Sequence, residues 1–301
     1  MVHGQNQQMK IAVYGRQFND LAMLPFVQQV FDSLSHHQVE VYVHHQLNEY
    51  LTGKINTINY QVLEKDTQIK GFIDLFITLG GDGTLLDMVT LIGDSGVPVI
   101  GINFGRLGFL ASVNKSDIDA AIKAVVNKEY TLDNRALVSI DSEKKIFGEG
   151  NFALNDITIH KRDDSAMITV HVFLDGEFLN SYWADGIIIA TPTGSTAYSL
   201  SCGGPIIFPQ SNSIVLTPVS PHNLNVRPVV LPDSSKLSFE VESRGGKYLL
   251  SYDSRTATID GAVRFHVHKA PFGLNLVRLN NESYLSTLRN KLLWGLDARN
   301  Y

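Results

Sequence analysis

Asp74-Leu75-Phe76-Ile77-Thr78-Leu79-Gly80-Gly81-Asp82-Gly83-Thr84 runs from an unbroken apolar segment straight into three glycines around one carboxylate. An apolar run without polar alternation marks a strand buried on both faces, as in a parallel sheet. Pro98-Val99-Ile100-Gly101-Ile102 repeats that pattern, and residues 84–92 between the two are long enough for a short helix. Toward the N-terminus, Lys10-Ile11-Ala12-Val13-Tyr14 ends at Gly15 as a first strand, and Val39-Glu40-Val41-Tyr42-Val43 alternates as a second. Between them Leu21, Leu24, Val27, Val30, Phe31 and Leu34 recur at spacings of three and four, which predicts an amphipathic helix over residues 20–34 with Pro25 in its first turn. A further helix is expected over 116–126, with Ser116 as N-cap and Asp117 and Asp119 in the first turn. Alternation of strands and helices implies an open parallel α/β sheet.

Past residue 130 the texture changes to strand-like runs and turns with little helical periodicity. The runs fall at 136–141, 156–160, 167–174, 186–190, 214–217, 236–241, 247–252 and 263–268, and Asp175-Gly176 and Gly245-Gly246 separate some of them in hairpin fashion. A helix returns at the end, where Leu285, Leu288, Leu292 and Leu296 share a face, with Asn281 placed to cap it and Gly295 to end it. The expected organisation is an α/β nucleotide-binding domain over 1–130, joined by a C-terminal helix at 275–301 that packs back on it, and an all-β, sandwich-like domain over 131–274.

Composition agrees with two cores. The chain has 301 residues, 44% apolar and 18% charged, against a prior of roughly 150 residues per domain. A net charge of −5 and a pI near 6.0 argue against nucleic acid as the main partner. No apolar stretch reaches the roughly 20 residues of a membrane span, and Met1-Val2-His3-Gly4-Gln5-Asn6-Gln7-Gln8 has no signal-peptide core. One cysteine cannot form an internal disulfide. The expected setting is therefore the cytoplasm, without a membrane.

The glycine run follows a buried strand and opens a helix, beyond the carboxyl end of the sheet where open α/β folds bind ligands. Its amides and the helix N-terminus can seat a phosphate. Asp82 stands out there, because a carboxylate repels phosphate; it suits an acceptor for the proton of a substrate hydroxyl. A plain turn is the alternative. The run Thr191-Pro192-Thr193-Gly194-Ser195-Thr196-Ala197-Tyr198-Ser199-Leu200-Ser201-Cys202-Gly203-Gly204-Pro205 packs hydroxyls and glycines around one tyrosine. It offers hydrogen bonds, close backbone approach and an aromatic surface for a planar ring. Asn155-Asp156 pairs an amide with a carboxylate, able to read an adenine edge and ribose hydroxyls.

Gly80-Gly81-Asp82-Gly83-Thr84, Gly105-Arg106-Leu107-Gly108-Phe109-Leu110, Asn155-Asp156, and Asp185-Gly186 through Thr191 to Pro205 together resemble the NAD kinase family, in family order, over residues 75–232. Gly-Gly-Asp-Gly-Thr is shared with diacylglycerol-type lipid kinases and, in variant form, with sugar kinases such as 6-phosphofructokinases; Thr191 to Tyr198 is much more particular to NAD kinases. The resemblance implies a Rossmann-like, phosphofructokinase-like first domain and transfer of a phosphoryl group from ATP, with Mg2+ or another divalent cation, to the 2′-hydroxyl of NAD's adenosine ribose. It makes Asp82 the general base and Gly83 part of the nucleotide loop. Asn155 and Asp156 would hold the adenosine half. Asp185, Thr193, Thr196, Ala197, Tyr198, Ser199, Leu200 and Ser201 would contact the dinucleotide. It implies a homo-oligomer, dimer or tetramer; polyphosphate in place of ATP is left open, and no protein-held metal site is expected. A lipid or sugar kinase, and a non-catalytic dinucleotide sensor, are the alternative functions.

Trp183 stands two before Asp185, where many family members carry a basic residue, and Asp253-Ser254-Arg255 matches a family turn only loosely and receives no role. His266 and His268 share a strand face, and His36-His37 and His44-His45 are adjacent pairs, but zinc needs three or four convergent ligands. Gly93-Asp94-Ser95-Gly96 reads as a helix-to-strand turn. Gly148-Glu149-Gly150-Asn151-Phe152-Ala153 opens no helix, as a dinucleotide loop must. Cys202 reads as a packing or site-wall residue.

Overall fold

The computed structural model describes residues 8–18, 20–56, 59–105, 108–142, 150–162, 166–279 and 283–293. The chain divides into two compact units, Met1–Asp133 with Asn275–Tyr301, and Asn134–Leu274.

The first unit contains β1 (Lys10–Gly15), α1 (Leu24–His36), β2 (Glu40–His44), α2 (His45–Leu51), β3 (Gln61–Leu63), β4 (Leu75–Leu79), α3 (Asp82–Ile92), β5 (Val99–Asn103), β6 (Val113–Asn114) and α4 (Ile118–Val126). Its strands pair in parallel in the order β3-β2-β1-β4-β5. All five residues of β4 and of β5 are buried, the polar Thr78 and Asn103 among them. Ile11, Val13, Ile77 and Leu79 pack in one core with Val27, Val30, Phe31 and Leu34 of α1 and Ile118, Ala121, Ile122 and Val125 of α4. Chain order reverses direction between β1 and β4, and the crevice beyond their carboxyl ends is where sheets of this kind bind ligands. Asp82 follows β4 by three residues.

Local signals account for the helix ends, with two differences from expectation. Asp20 caps a short 3-10 turn at Leu21–Met23 by accepting from the Ala22 amide, and Pro25 lies in the first turn of α1, where its missing N–H costs nothing. Ser116 is not the N-cap of α4: a 3-10 turn at Lys115–Asp117 takes up that residue, and Asp117 stands at the cap. The final helix, α6 (Tyr284–Leu292), is capped by the Ser283 hydroxyl, which accepts from the Ser286 amide, and buries Leu288. Asn281, Gly295 and Leu296, expected at its ends, lie outside the described residues. Helix α6 belongs to the first unit, where the Lys291 ammonium lies 5.7 Å from the Phe109 ring centroid.

Strand β7 (Tyr130–Ser142) leads into the second unit, which holds β8 (Phe152–Ala153), β9 (Asp156–Lys161), β10 (Ile168–Leu174), β11 (Glu177–Ala184), β12 (Gly186–Ala190), α5 (Tyr198–Ser201), β13 (Ser213–Val219), β14 (Val229–Pro232), β15 (Leu237–Glu242), β16 (Lys247–Tyr252), β17 (Arg255–Asp260) and most of β18 (Phe265–Leu279). One antiparallel layer runs β11-β10-β15-β18 and the other β14-β13-β12-β9-β16-β17. Inward residues of both layers, among them Val170, Val172, Phe239 and Phe265 from one and Ile157, Ile159, Ile187, Ile189 and Leu250 from the other, form one core. This is a β-sandwich, as the hairpin-rich sequence implies. Among the described residues no helix is long and apolar enough to cross a membrane.

Candidate active site

In the first unit the site is built on the end of β4. Gly80 has a φ of 144°, and a Cβ there would lie 2.4 Å from the Thr84 hydroxyl, so no other residue fits. Gly81 and Gly83 differ: no atom of the described residues comes within 4 Å of where their Cβ would be. Open space over two bare residues at a helix start, whose first N–H groups have no intrahelical partner, suits a phosphate. Helix α3 begins at Asp82, two residues before the expected Thr84, which puts Asp82 and Gly83 in its first turn.

The Asp82 carboxylate is clasped. Phe109 N–H donates to Oδ2 at 2.8 Å, and the Leu110 and Ala111 amides donate to Oδ1 at 3.1 and 3.0 Å. The loop can come this close because residue 108 is glycine; a Cβ there would lie 1.8 Å from Asp82 Oδ1. Arg278 steadies the same loop by donating to the Phe109 carbonyl at 3.4 Å while pairing with Asp133 at 3.2 Å. Arg106 and Leu107 lie outside the described residues.

In the second unit, strand register gathers three segments at one end of the six-stranded layer. Asp156 opens β9 and pairs with Ala190, the last residue of β12, while Ile157 pairs with Tyr252, the last residue of β16. Asn155-Asp156, the loop from Thr191 and the turn at Asp253 therefore meet. Thr191 ties the first two together: its N–H donates to the Asn155 carbonyl at 2.9 Å and its hydroxyl to the Leu154 carbonyl at 2.5 Å. Gly194 packs so tightly on the same turn that a Cβ would lie 2.0 Å from the Asn155 carbonyl oxygen. Asp253 accepts from the amides of Leu154 (2.8 Å), Asn155 (2.8 Å) and Asp156 (3.3 Å). Burial first, and the Asp253 charge second, push the Asp156 carboxyl up to about 7, with the Thr158 hydroxyl opposing them by donating to it at 2.9 Å.

The hydroxyl-rich run divides. Ser199 is fully buried, bonded to the Thr217 hydroxyl at 2.8 Å, and Thr193 accepts from the buried Arg135 guanidinium at 3.1 Å. The Thr196 hydroxyl donates to the Thr193 carbonyl at 3.1 Å. Tyr198 and Ser201 are exposed, and Ala197 and Leu200 half-buried. Burial, then Cys202, Asp156 and Asp185, all raise the Tyr198 pKa, so its hydroxyl lies within electrostatic reach of both carboxylates. Asp185 itself precedes β12, at the opposite end of that strand from Thr191, and pairs with Lys161 Nζ at 2.8 Å. Cys202 packs beside Ile188, Ala190, Val215 and Val219, as a wall residue. The Trp183 ring packs at a tilt against His222, with centroids 4.2 Å apart. His268 pairs with Asp141 at 2.9 Å and His266 with the Ser238 hydroxyl at 2.7 Å.

Residue types had pointed to Asp82, Asn155 and Asp156. They had not pointed to Arg135, Lys161 or Asp253, whose partners lie 58, 24 and about 97–99 residues away or are reached only through sheet register. Asp253 was the nearest to visible, as an acidic residue in a hairpin turn.

An open parallel sheet that ends a buried strand in a bare glycine seat, with a fixed carboxylate beside it, suits a nucleotide-dependent phosphotransferase. The family models for the ATP-NAD kinase N-terminal and C-terminal domains match residues 17–130 and 154–279. The chain is 44% identical over 293 residues to an NAD kinase of Cytophaga hutchinsonii, covering 97% of this chain and 100% of the relative. An NAD kinase of Flavobacterium psychrophilum is 43% identical over 295 residues with the same coverage. Among solved structures, yeast NADH kinase complexed with NADH superposes with a TM-score of 0.83 at 27% identity, covering 99% of this chain and 91% of that one. An NAD kinase from Archaeoglobus fulgidus in complex with ATP shares the fold, with a TM-score of 0.71 at 22% identity over 95% of this chain and 99% of that one. The chain belongs to the NAD kinase family. A lipid or sugar kinase is not favoured, because the C-terminal match covers the half that lacks the shared glycine–aspartate loop.

Proposed function

We propose that the chain transfers a phosphoryl group from ATP to the 2′-hydroxyl of the adenosine ribose of NAD, giving NADP, with Asp82 accepting the hydroxyl proton. The clasp on Asp82 carries this reading. A carboxylate has about four acceptor positions; three amides fill three of them and fix the group, and the fourth can receive a proton. Gly81, Gly83 and the first turn of α3 form the triphosphate seat, supported by the open space over both glycines. Asn155 and Asp156 hold the adenosine half, and Asp185, Thr196, Ala197, Tyr198, Leu200 and Ser201 contact the dinucleotide. Thr193 and Ser199, whose hydroxyls bond within the protein, contribute through backbone.

Among the described residues no three His, Cys, Asp or Glu side chains gather to hold a metal. A divalent cation in this reaction would travel on the triphosphate, where phosphate oxygens and water fill most of its octahedral shell. Such a cation neutralises charge on the transferring group. The reading extends to a cytoplasmic homo-oligomer, dimer or tetramer. NADH, named with the yeast relative, and polyphosphate are the acceptor and donor to test beside NAD and ATP.

The test is a coupled assay for NADP with NAD held constant and the donor varied, run on the unaltered chain and on Asp82→Asn. NADP should form with ATP and magnesium, and the substitution should lower turnover by ~10²–10⁴-fold, the usual contribution of a general base. Full activity of the variant removes Asp82 from its role, and phosphate appearing on diacylglycerol with NAD untouched overturns the whole reading.

A further inference from the structure

The turn at Asp253 is built in a way that hairpin geometry does not require. Tyr252 pairs with Arg255, so Asp253 and Ser254 form a two-residue loop, and Asp253 has a φ of 48°. Glycine is the ordinary occupant of the first loop position when φ is positive there, and an L side chain is strained. Strain of this kind persists where the surroundings hold it in place. Here they do: both carboxylate oxygens are engaged by the three amides of residues 154–156, 97 to 99 positions earlier, and the Asp253 amide donates back to the Asp156 carbonyl at 3.1 Å. Arg255 fixes the stretch just before, donating to the carbonyls of Gly150 at 2.5 Å and Phe152 at 2.6 Å.

We propose that Asp253 is the positioning residue of the dinucleotide site: its carboxylate sets the backbone of residues 154–156 and so presents the Asn155 and Asp156 side chains to substrate. This rests on the dinucleotide reading of Asn155 and Asp156. A carboxylate clasping three successive amides fixes the direction of every side chain on that turn, which a glycine in the same loop cannot do. Its charge also acts on Asp156. The groups bearing on Asp156 are Asp253, the Thr158 hydroxyl, and Tyr198 and Cys202 from α5 and its end, while Arg255 acts on Asp253. Of these, Asp253 is the one that raises the Asp156 pKa through charge, so its removal lowers that pKa.

The experiment compares the unaltered chain with Asp253→Asn and Asp253→Gly, varying NAD and ATP separately across pH. Glycine suits the turn, so the second variant removes the clasp while relieving strain. In both, the KM for NAD should rise by ~10-fold or more while kcat and the KM for ATP stay within about threefold, the scale expected when a binding group is misplaced by a fraction of an ångström. The pH midpoint of NAD binding should also move to lower pH. Folded variants with unchanged KM for NAD overturn the proposal. So does a fall in kcat together with a rise in both KM values, or failure of both variants to fold, since the role would then be stability of the hairpin. An unaltered chain that forms no NADP sinks the functional reading itself, whereas an active chain with indifferent variants sinks the positioning role alone.

Discussion

In the first unit Asp82 accepts hydrogen bonds from the successive amides of residues 109–111; in the second, Asp253 accepts them from residues 154–156. The chemistry of the two clasps is the same, and their orientation is opposite. Asp82 stands on a helix start at the end of a buried strand, and in the proposed reaction the clasping loop holds the carboxylate itself as the reactive group. Asp253 stands on a hairpin tip, and in the proposed site the clasped backbone carries the groups that meet substrate. On that reading one motif yields a general base in one setting and a scaffold in the other. Which side faces outward is settled by the elements on which each partner sits, not by the carboxylate.

Breaking the first clasp should have the largest effect. Gly108→Ala places a Cβ where Asp82 Oδ1 now lies and should cost roughly 10²-fold in kcat, approaching the loss in Asp82→Asn, because misplacing a reacting group by about 1 Å has that consequence. Turnover near that of the unaltered chain, in a protein with an unchanged melting profile, would show that the clasp does not set the base. On the second side, Gly194→Ala pushes against the Asn155 carbonyl and should raise the KM for NAD ~10-fold with a smaller change in kcat, since binding rather than the reacting centre is disturbed. If kcat falls instead, the two halves are not divided between chemistry and binding.

The smallest effect is one of stability and pH. Asp156 has its pKa raised to about 7, from 3.8, chiefly by burial and then by Asp253. Its folded form therefore keeps a proton that the unfolded chain has released, so the contribution to stability is full below pH ~4 and is lost as pH rises through about 7. Asp156→Asn removes that penalty. Melting at pH 8 should rise by a few degrees, with little change at pH 4, and NAD binding should weaken; calorimetry at both pH values checks it.

The parallel half of the fold was legible in sequence because β4 and β5 are short, mostly apolar and punctuated by glycine. The helix α2 was not, since over its seven residues only Leu47 and Leu51 are buried, too few to establish a period. Strands such as β12 and β16 emerged at their true limits because turn residues bound them. Candidate chemistry was legible where it was local: Asp82 among glycines, Asn155 beside Asp156. What each hydroxyl of the Thr191 loop faces was not, because Ser199 and Thr193 are claimed by Thr217 and Arg135, partners that only the packed sandwich supplies. Asp253, in a turn that matches the family's only loosely, received no role for the same reason.

The first unit is interrupted in sequence: residues 1–133 and 275–301 enclose the whole of the second. Leu276 pairs with Val99 at the margin of the parallel sheet, and α6 lies further on still. On the ribosome the enclosed sandwich can therefore reach its final form first, while the earlier-made segment waits, the Val99 end of its β5 margin unpaired, for its closing pieces to be synthesised. The half of the molecule that carries Asp82 is the half whose last piece of chain is made last.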